Sequence, residues 1–267
     1  MPEASLYLLP FAISVVLTPL VKQYSVICKA YAHENKRTVH HGLISRIGGV
    51  AIYLAFMICA AVFVRADRAV FGILAGGSVM FFTGLVDDLI DIKPPVKLAF
   101  EAVAALVLIW SGVQVDVLRL PFGIRIDFGF VSFLFTILWV CGITNAVNLI
   151  DGLDGLAGGM SVIILVVTGC LAMIDRRPDV ITICFLLAGA TLGFLVFNSY
   201  PASIFMGDCG SLFLGFMISA ISLMGFKSST IMTLALPILL LMIPIIDTLS
   251  AILRRTLKGM KFTQEDK

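Results

Sequence analysis

A chain of 267 residues in which the apolar types AVILMFWYC make up 60% and the charged types DEKR only 13% cannot be an ordinary soluble domain, which carries about 45–50% apolar and about 25% charged residues. The formal net charge of +2 says little by itself, because in a membrane protein the side on which charges fall matters more than their sum.

The apolar residues come in long runs separated by short polar loops, and at roughly 20 residues per span this length holds about nine or ten spans and little else. No composition shift or internal repeat marks a second domain, so residues 1–267 are read as one transmembrane catalytic domain. The start, MPEASLYLLPF, lacks the basic n-region of a signal peptide, and the first apolar run is read as a retained helix. Cys28, Cys59, Cys141, Cys170, Cys184 and Cys209 show no CxxC spacing and mostly fall inside apolar runs, which fits buried small hydrophobes rather than disulfides or zinc ligands.

In chain order the predicted spans are Ser5–Ile27, Gly48–Val64, Ala69–Val86, Val96–Val115, Phe128–Leu149, Leu156–Ile174, Val180–Phe197, Leu212–Phe226 and Ile231–Ile246. The fold class is therefore an all-α polytopic membrane protein of about nine transmembrane helices. Pro10 and Pro19 are expected to kink the first helix, and Pro237 and Pro244 the ninth. Between the fourth and fifth spans, DVLRLPFGIRID (116–127) alternates around a Pro-Phe-Gly and predicts a small external hairpin. One set of loops holds twelve Lys and Arg residues, from Lys22 to Lys267, and the opposite set seven, from Arg65 to Lys227. The positive-inside rule then puts the N-terminus outside and the C-terminus in the cytoplasm.

The loops GLVDDLIDIKPPVK, NAVNLIDGLDGLAGG and NSYPASIFMGDCGS all fall on the cationic side. Asp87, Asp88 and Asp91 end the third span at spacings that predict a shared helical face. Asn145, Asn148, Asp151 and Asp154 recur every third residue, so a polar edge is expected if that segment stays helical. Asp208 lies between glycines just before the next span. A single loop aspartate is ordinarily a cap or turn residue, but six carboxylates at one interface repel one another unless cations or raised pKa values relieve them. Hard oxygen donors favour Mg²⁺, which commonly bridges substrate phosphates, and no His or Cys cluster points to zinc. Arg37, Arg46, Lys93 and Lys97 are the cations available for phosphate contact, although positive-inside topology alone also accounts for them. Glu101, four residues after Lys97, is the one acid well inside a span and is expected to pair with that lysine. The residues by themselves thus lead to Mg²⁺-assisted phosphoryl chemistry at a cytoplasmic membrane face.

At these same residues the sequence resembles the polyprenyl-phosphate N-acetylhexosamine-1-phosphate transferases of the glycosyltransferase family 4 type. The resemblance runs through KRTVHHGLISRIGG, GLVDDLIDIKPPVKL, NAVNLIDGLDGLAGG, FNSYPASIFMGDCGSLFLG and the Asp247…Arg254-Arg255…Lys258-Gly259 stretch. It is nearest the undecaprenyl-phosphate GlcNAc-1-phosphate branch. The resemblance implies transfer of a sugar 1-phosphate from a UDP-N-acetylhexosamine to a polyprenyl phosphate, with release of UMP. It implies a multi-pass protein of the bacterial inner membrane that starts cell-envelope glycans such as teichoic acid or O-antigen. Asp87, Asp88 and Asp208 would be catalytic, with Asp87 the base or nucleophile. Asp208 would ligate Mg²⁺ (Mn²⁺ being the alternative), with Asp151 beside it. Lys97 would contact the diphosphate, while Asn145, Asn148, Asp151 and Asp154 would shape the nucleotide pocket with Asn198 and a stacking Phe205. Arg37, His40 and Arg46 are weaker phosphate contacts, because Ser45 stands where the family usually has proline. The partners implied are the UDP-sugar, the polyprenyl phosphate and the lipid bilayer, with no nucleic acid and with a homodimer open. The family also carries a His-x-His-His loop and further helices, and this chain is expected to stop just before them, at Gln264-Glu265-Asp266-Lys267.

A phosphate monoester with a second pKa near 6 is mostly dianionic at neutral pH, so direct in-line attack is favoured over an aspartyl-phosphate on Asp87. Two other functions stay in view. One is phospho-MurNAc-pentapeptide translocase activity within the same family; the other is a secondary transporter. The transporter fits less well, because its ionisable residues would sit near the bilayer midplane on broken helices.

Overall fold

In the computed structural model, residues 5–28, 44–65, 67–115, 117–119, 125–225 and 242 are described. They form helices α1 (Ser5–Cys28), α2 (Gly49–Phe63), α3 (Arg68–Ile90) and α4 (Pro94–Trp110), strands β1 (Val117–Arg119) and β2 (Arg125–Asp127), and helices α5 (Val131–Ile150), α6 (Leu156–Ile174), α7 (Pro178–Asn198) and α8 (Gly207–Gly225). Six of the eight helices are long and apolar enough to cross a membrane; α2 and α4, at 15 and 17 residues, are shorter. The chain is a multi-pass helical membrane protein. The ninth predicted span, Ile231–Ile246, lies outside the described residues except for Met242, as do Pro237 and Pro244.

α8 is the central helix, buried along nearly its whole length, with α3 and α5 against it and α2 and α6 completing its surround. Lipid tails are as apolar as a leucine side chain, so helices associate in a membrane through close packing and internal hydrogen bonds rather than through burial from water. Gly84 shows the consequence: a Cβ there would stand 2.2 Å from the Asp208 carbonyl oxygen. Only glycine lets α3 run this close to the first turn of α8. The outer surface, in turn, exposes Phe71, Phe82, Leu138 and Val196.

The helix ends sort into two groups. At one end the Arg68 guanidinium donates to the Trp110 carbonyl at 2.5 Å and lies over its ring at 5.2 Å, tying the start of α3 to the end of α4. Arg177 likewise donates to the Met224 carbonyl at 3.2 Å, joining α7 to α8. The hairpin follows α4 at this end, its strands antiparallel with Leu118 opposite Ile126, within the predicted 116–127. At the opposite end the three Asp- and Asn-bearing loops meet.

Several details of the helix ends differ from expectation, and α4 ends at Trp110 rather than Val115. α3 continues to Ile90, and Asp91 is its C-cap at φ 50°, exposed, so Asp91 does not share a helical face with Asp87 and Asp88. α5 stops at Ile150, with Asp151 as C-cap, and the every-third-residue polar edge ends at Asn148. α8 begins at Gly207 rather than Leu212, because Asp88 supplies a cap from another helix. The five cysteines whose side chains are described are all free; Cys59, Cys184 and Cys209 are buried, whereas Cys170 is exposed, contrary to expectation.

Candidate active site

The site begins where α3 ends against α8. Both oxygens of the Asp88 carboxylate accept main-chain N–H groups, from Asp208 and from Cys209, each at 2.9 Å. The first N–H groups of a helix lack partners within it, and Asp88 satisfies two of them from a different element. Gly207 precedes them at φ +72°, where a Cβ would fall 1.7 Å from the Arg46 carbonyl oxygen, so the turn into α8 requires glycine. Asp208 then sits in the first turn of α8, where the helix dipole favours a negative charge.

α4 opens on Lys93-Pro94-Pro95, with proline at its first positions. One turn later it presents Lys97 to the junction. The Lys97 ammonium is 2.5 Å from Asp87 Oδ2 and also contacts Asp208 Oδ2, so one cation bridges carboxylates of α3 and α8. Asp87 Oδ1 accepts the Ile92 N–H at 2.7 Å, which orients the carboxylate toward Lys97. From α5, Asn148 donates to Asp208 Oδ1 at 3.0 Å and to Ser211 Oγ at 2.8 Å. Glu101 accepts from Asn145 Nδ2 at 2.6 Å rather than pairing with Lys97. Asn145 Nδ2 also donates to the Cys141 carbonyl at 2.8 Å, which leaves the acceptor oxygen of the side chain without a partner among the described residues.

The loop after α5 adds Asp151, half-buried at the rim. Burial pushes its carboxyl well above the ordinary range, and the Asp208 and Asp88 carboxylates push it further, against the opposing pull of Arg46. Asp154 Oδ2 accepts the Ala202 N–H at 2.9 Å. Asn198, almost fully buried, accepts the Gly155 N–H at 3.2 Å and donates to the Ile204 carbonyl at 2.9 Å, so it knits the two loops together. Phe205 is half-buried, its N–H donating to the Ser45 carbonyl at 2.8 Å and its carbonyl accepting the Gly48 N–H at 3.0 Å.

Of the residues singled out from sequence, Lys97, Asn148 and Asp88 each contact Asp208, and Lys97 also contacts Asp87. Asp151 and Arg46 adjoin them, while Asp154, Asn198 and Phe205 belong to the neighbouring loop network. Asn145 stands one turn away, held by Glu101. Arg37 and His40 lie outside the described residues. One participant, Ser211, goes unrecognised in the sequence, and Glu101 is recognised there only as an ion-pair partner of Lys97. Ser211 has no signal beyond its place three residues after Asp208. Glu101 does carry one, since an ionisable residue inside a span is a functional candidate by default.

Mg²⁺ fits this donor set. Among the described residues no cage of three or more His, Cys, Asp or Glu side chains is assembled, but Mg²⁺ is usually held by one or two carboxylates together with substrate phosphates. Asp87 and Asp208 already converge on a single cation, the Lys97 ammonium.

Residues 70–226 match the family described as Glycosyl transferase family 4. The chain is 36% identical over 256 residues to a protein of Bacillus subtilis named probable undecaprenyl-phosphate N-acetylglucosaminyl 1-phosphate transferase, covering 95% of this chain and 72% of that relative. It is 34% identical over 274 residues to the decaprenyl-phosphate N-acetylglucosaminephosphotransferase of Mycobacterium tuberculosis, covering 89% of this chain and 67% of the relative. A shorter match, 48% over 110 residues, links it to the phospho-N-acetylmuramoyl-pentapeptide-transferase of Listeria monocytogenes, covering 41% of this chain and 34% of that one.

Proposed function

The chain belongs to glycosyl transferase family 4, and on that premise we propose that it transfers N-acetylglucosamine 1-phosphate from UDP-GlcNAc to undecaprenyl phosphate at the cytoplasmic face of a bacterial inner membrane. Relatives that align over most of this chain are named for N-acetylglucosamine phosphate transfer with a polyprenyl phosphate, which favours this sugar over a MurNAc-pentapeptide. The observation that carries the chemistry is the Lys97 ammonium between Asp87 and Asp208. Cation and carboxylates from separate helices meet there at one helix-end junction.

An oxygen of the lipid phosphate attacks the sugar-bearing phosphorus of UDP-GlcNAc. A new P–O bond forms, the bond to the UMP phosphate breaks, and the products are a lipid diphosphate sugar and UMP. The lipid phosphate is mostly dianionic at neutral pH, so no strong base is needed, and Asp87 serves to orient the attacking oxygen. Lys97 lends positive charge to the diphosphate. Asp208, with Asp87 and Asp151 beside it, would hold Mg²⁺, which when bound would supply further charge neutralisation of the diphosphate. Asp88 acts as a positioning residue, since its oxygens are spent on the start of α8. Asn145, Asp154, Asn198 and Phe205 form the nucleotide side, Phe205 as the uracil platform and Asn198 as the tie behind it.

Incubation of the detergent-purified chain with Mg²⁺, undecaprenyl phosphate and radiolabelled UDP-GlcNAc tests the reading. The expected result is lipid-linked radiolabel and UMP in equal amounts. Product from UDP-MurNAc-pentapeptide alone would overturn the sugar assignment, and no product from either donor would overturn the transferase reading.

A further inference from the structure

Glu101, two turns into α4, is 1% exposed, the most deeply buried acid among the described residues. We infer that it is a positioning residue for sugar-nucleotide binding. It holds the Asn145 amide so that only the carbonyl oxygen is left to offer, as an acceptor for a hydroxyl or N–H of the donor substrate. The inference rests on the transferase reading.

An ionisable side chain inside a span is costly and calls for a named partner. The cation one turn earlier on α4 does not serve, because the Lys97 ammonium lies on Asp87 and Asp208. Glu101 instead accepts from Asn145 Nδ2 at 2.6 Å, and the Cys141 thiol is its other neighbour on α5. The orientation of a side-chain amide follows from its partners. Here one of them is the Cys141 main-chain carbonyl, at 2.8 Å, which can only accept. The amide nitrogen must therefore face it, and with Glu101 as the second acceptor both of its hydrogens are spent. The carbonyl oxygen that remains, on an exposed residue, has no partner among the described residues. An ionised phosphate oxygen has no hydrogen to give it, whereas a sugar or ribose hydroxyl, or an acetamido or uracil N–H, does.

The amide is also in the right place. Asn145 and Asn148, three apart on α5, share a face, and Asn148 donates to Asp208 Oδ1 at 3.0 Å. Two rungs one turn apart thus join α4 to α5. The first, Lys97 to Asp208 to Asn148, is made of reacting groups. The second, Glu101 to Asn145, holds one amide and nothing of the phosphoryl-transfer centre.

The test uses the intact chain in phospholipid nanodiscs, isotope-labelled at asparagine nitrogen, with Asn145→Ala identifying the Asn145 side-chain signal by NMR. That signal should exchange slowly with solvent before any substrate is added. Glu101→Met, of similar length but without an acceptor, should speed the exchange. It should also raise the KM for UDP-GlcNAc about tenfold, the scale of one hydrogen bond, with the KM for undecaprenyl phosphate unchanged. Glu101→Gln keeps an acceptor oxygen and should restore both the slow exchange and the KM. In the Asn145→Ala background Glu101→Met should add nothing, a non-additivity that marks action through Asn145. An unchanged KM for UDP-GlcNAc in Glu101→Met, equal rises in both KM values, or additive losses in the double variant would overturn the assignment. Should the methionine variant not fold, the unmodified chain decides, since an Asn145 amide that exchanges as fast as those of unheld asparagines overturns it alone. A held amide in a chain that transfers no sugar would instead overturn the transferase reading.

Discussion

Asp88 and Asp208 are 120 residues apart, yet the Asp88 carboxylate accepts the Asp208 main-chain N–H at 2.9 Å, and the neighbouring Cys209 N–H at the same distance. An acid in the middle of a phosphoryl-transfer motif is thereby committed to capping a different helix. Asp88→Asn keeps one acceptor oxygen and loses the other. Loss of a helix cap typically costs about 0.5–2 kcal/mol, so the variant should unfold at a lower temperature in detergent. Its turnover should fall, with partial recovery at high Mg²⁺ as a displaced Asp208 is drawn back. Wild-type unfolding together with abolished turnover would instead make Asp88 a reacting group.

Gly84→Ala tests the same junction without touching a charge. The added methyl meets the Asp208 carbonyl oxygen at 2.2 Å, and overpacking of this kind costs about 1–3 kcal/mol. α3 has to withdraw from α8, separating Asp87 from Asp208. Turnover should drop more steeply than the affinity for UDP-GlcNAc, as measured from kcat and KM in one titration.

Lys97 occupies the position between the two carboxylates that a divalent cation also favours. Lys97→Gln removes that competing charge. Turnover is expected to fall roughly 10²-fold, the scale of losing one group that stabilises transition-state charge. The Mg²⁺ concentration giving half-maximal rate should fall at the same time. An unchanged or higher Mg²⁺ requirement would mean that lysine and metal do not share these oxygens.

Asp151 supplies a pH dependence. Its carboxyl holds a proton above the ordinary carboxylate range because of burial and the Asp208 and Asp88 charges. A cation bound there displaces that proton. Apparent Mg²⁺ affinity should therefore be weakest at low pH and strengthen as pH rises through the raised pKa. Asp151→Asn should flatten the profile, which Mg²⁺ titrations at a series of pH values would reveal.

Much of the helical layout is legible from sequence because a bilayer demands long apolar runs, and α6 coincides with its predicted span, Leu156–Ile174. The ends of α3 and α8 are not legible. α3 carries Asp87 and Asp88 within its last turn because their carboxylates find partners across the fold, and α8 starts early because one of those partners is its own first turn. The choice of Lys97 between Glu101, four residues away on the same helix, and Asp87 and Asp208 on other helices is likewise a tertiary outcome. Local spacing favours the first and the packed helices supply the second. Asn145 and Asn148 continue the expected polar edge, but the turn at Asp151 takes Asp151 and Asp154 off it and toward the loops around Arg46 and Ala202.

The central claim is that Asp87, Lys97 and Asp208 form a divalent-cation-dependent phosphoryl-transfer centre, and the most direct test is UMP release from UDP-GlcNAc against Mg²⁺ concentration, for the unmodified chain and for Asp208→Asn side by side. The account predicts saturable Mg²⁺ dependence that chelation abolishes and Mg²⁺ restores, and a loss of about 10²-fold or more in the variant. UMP release that persists under chelation, or a variant that keeps the unmodified rate and Mg²⁺ requirement, would contradict it.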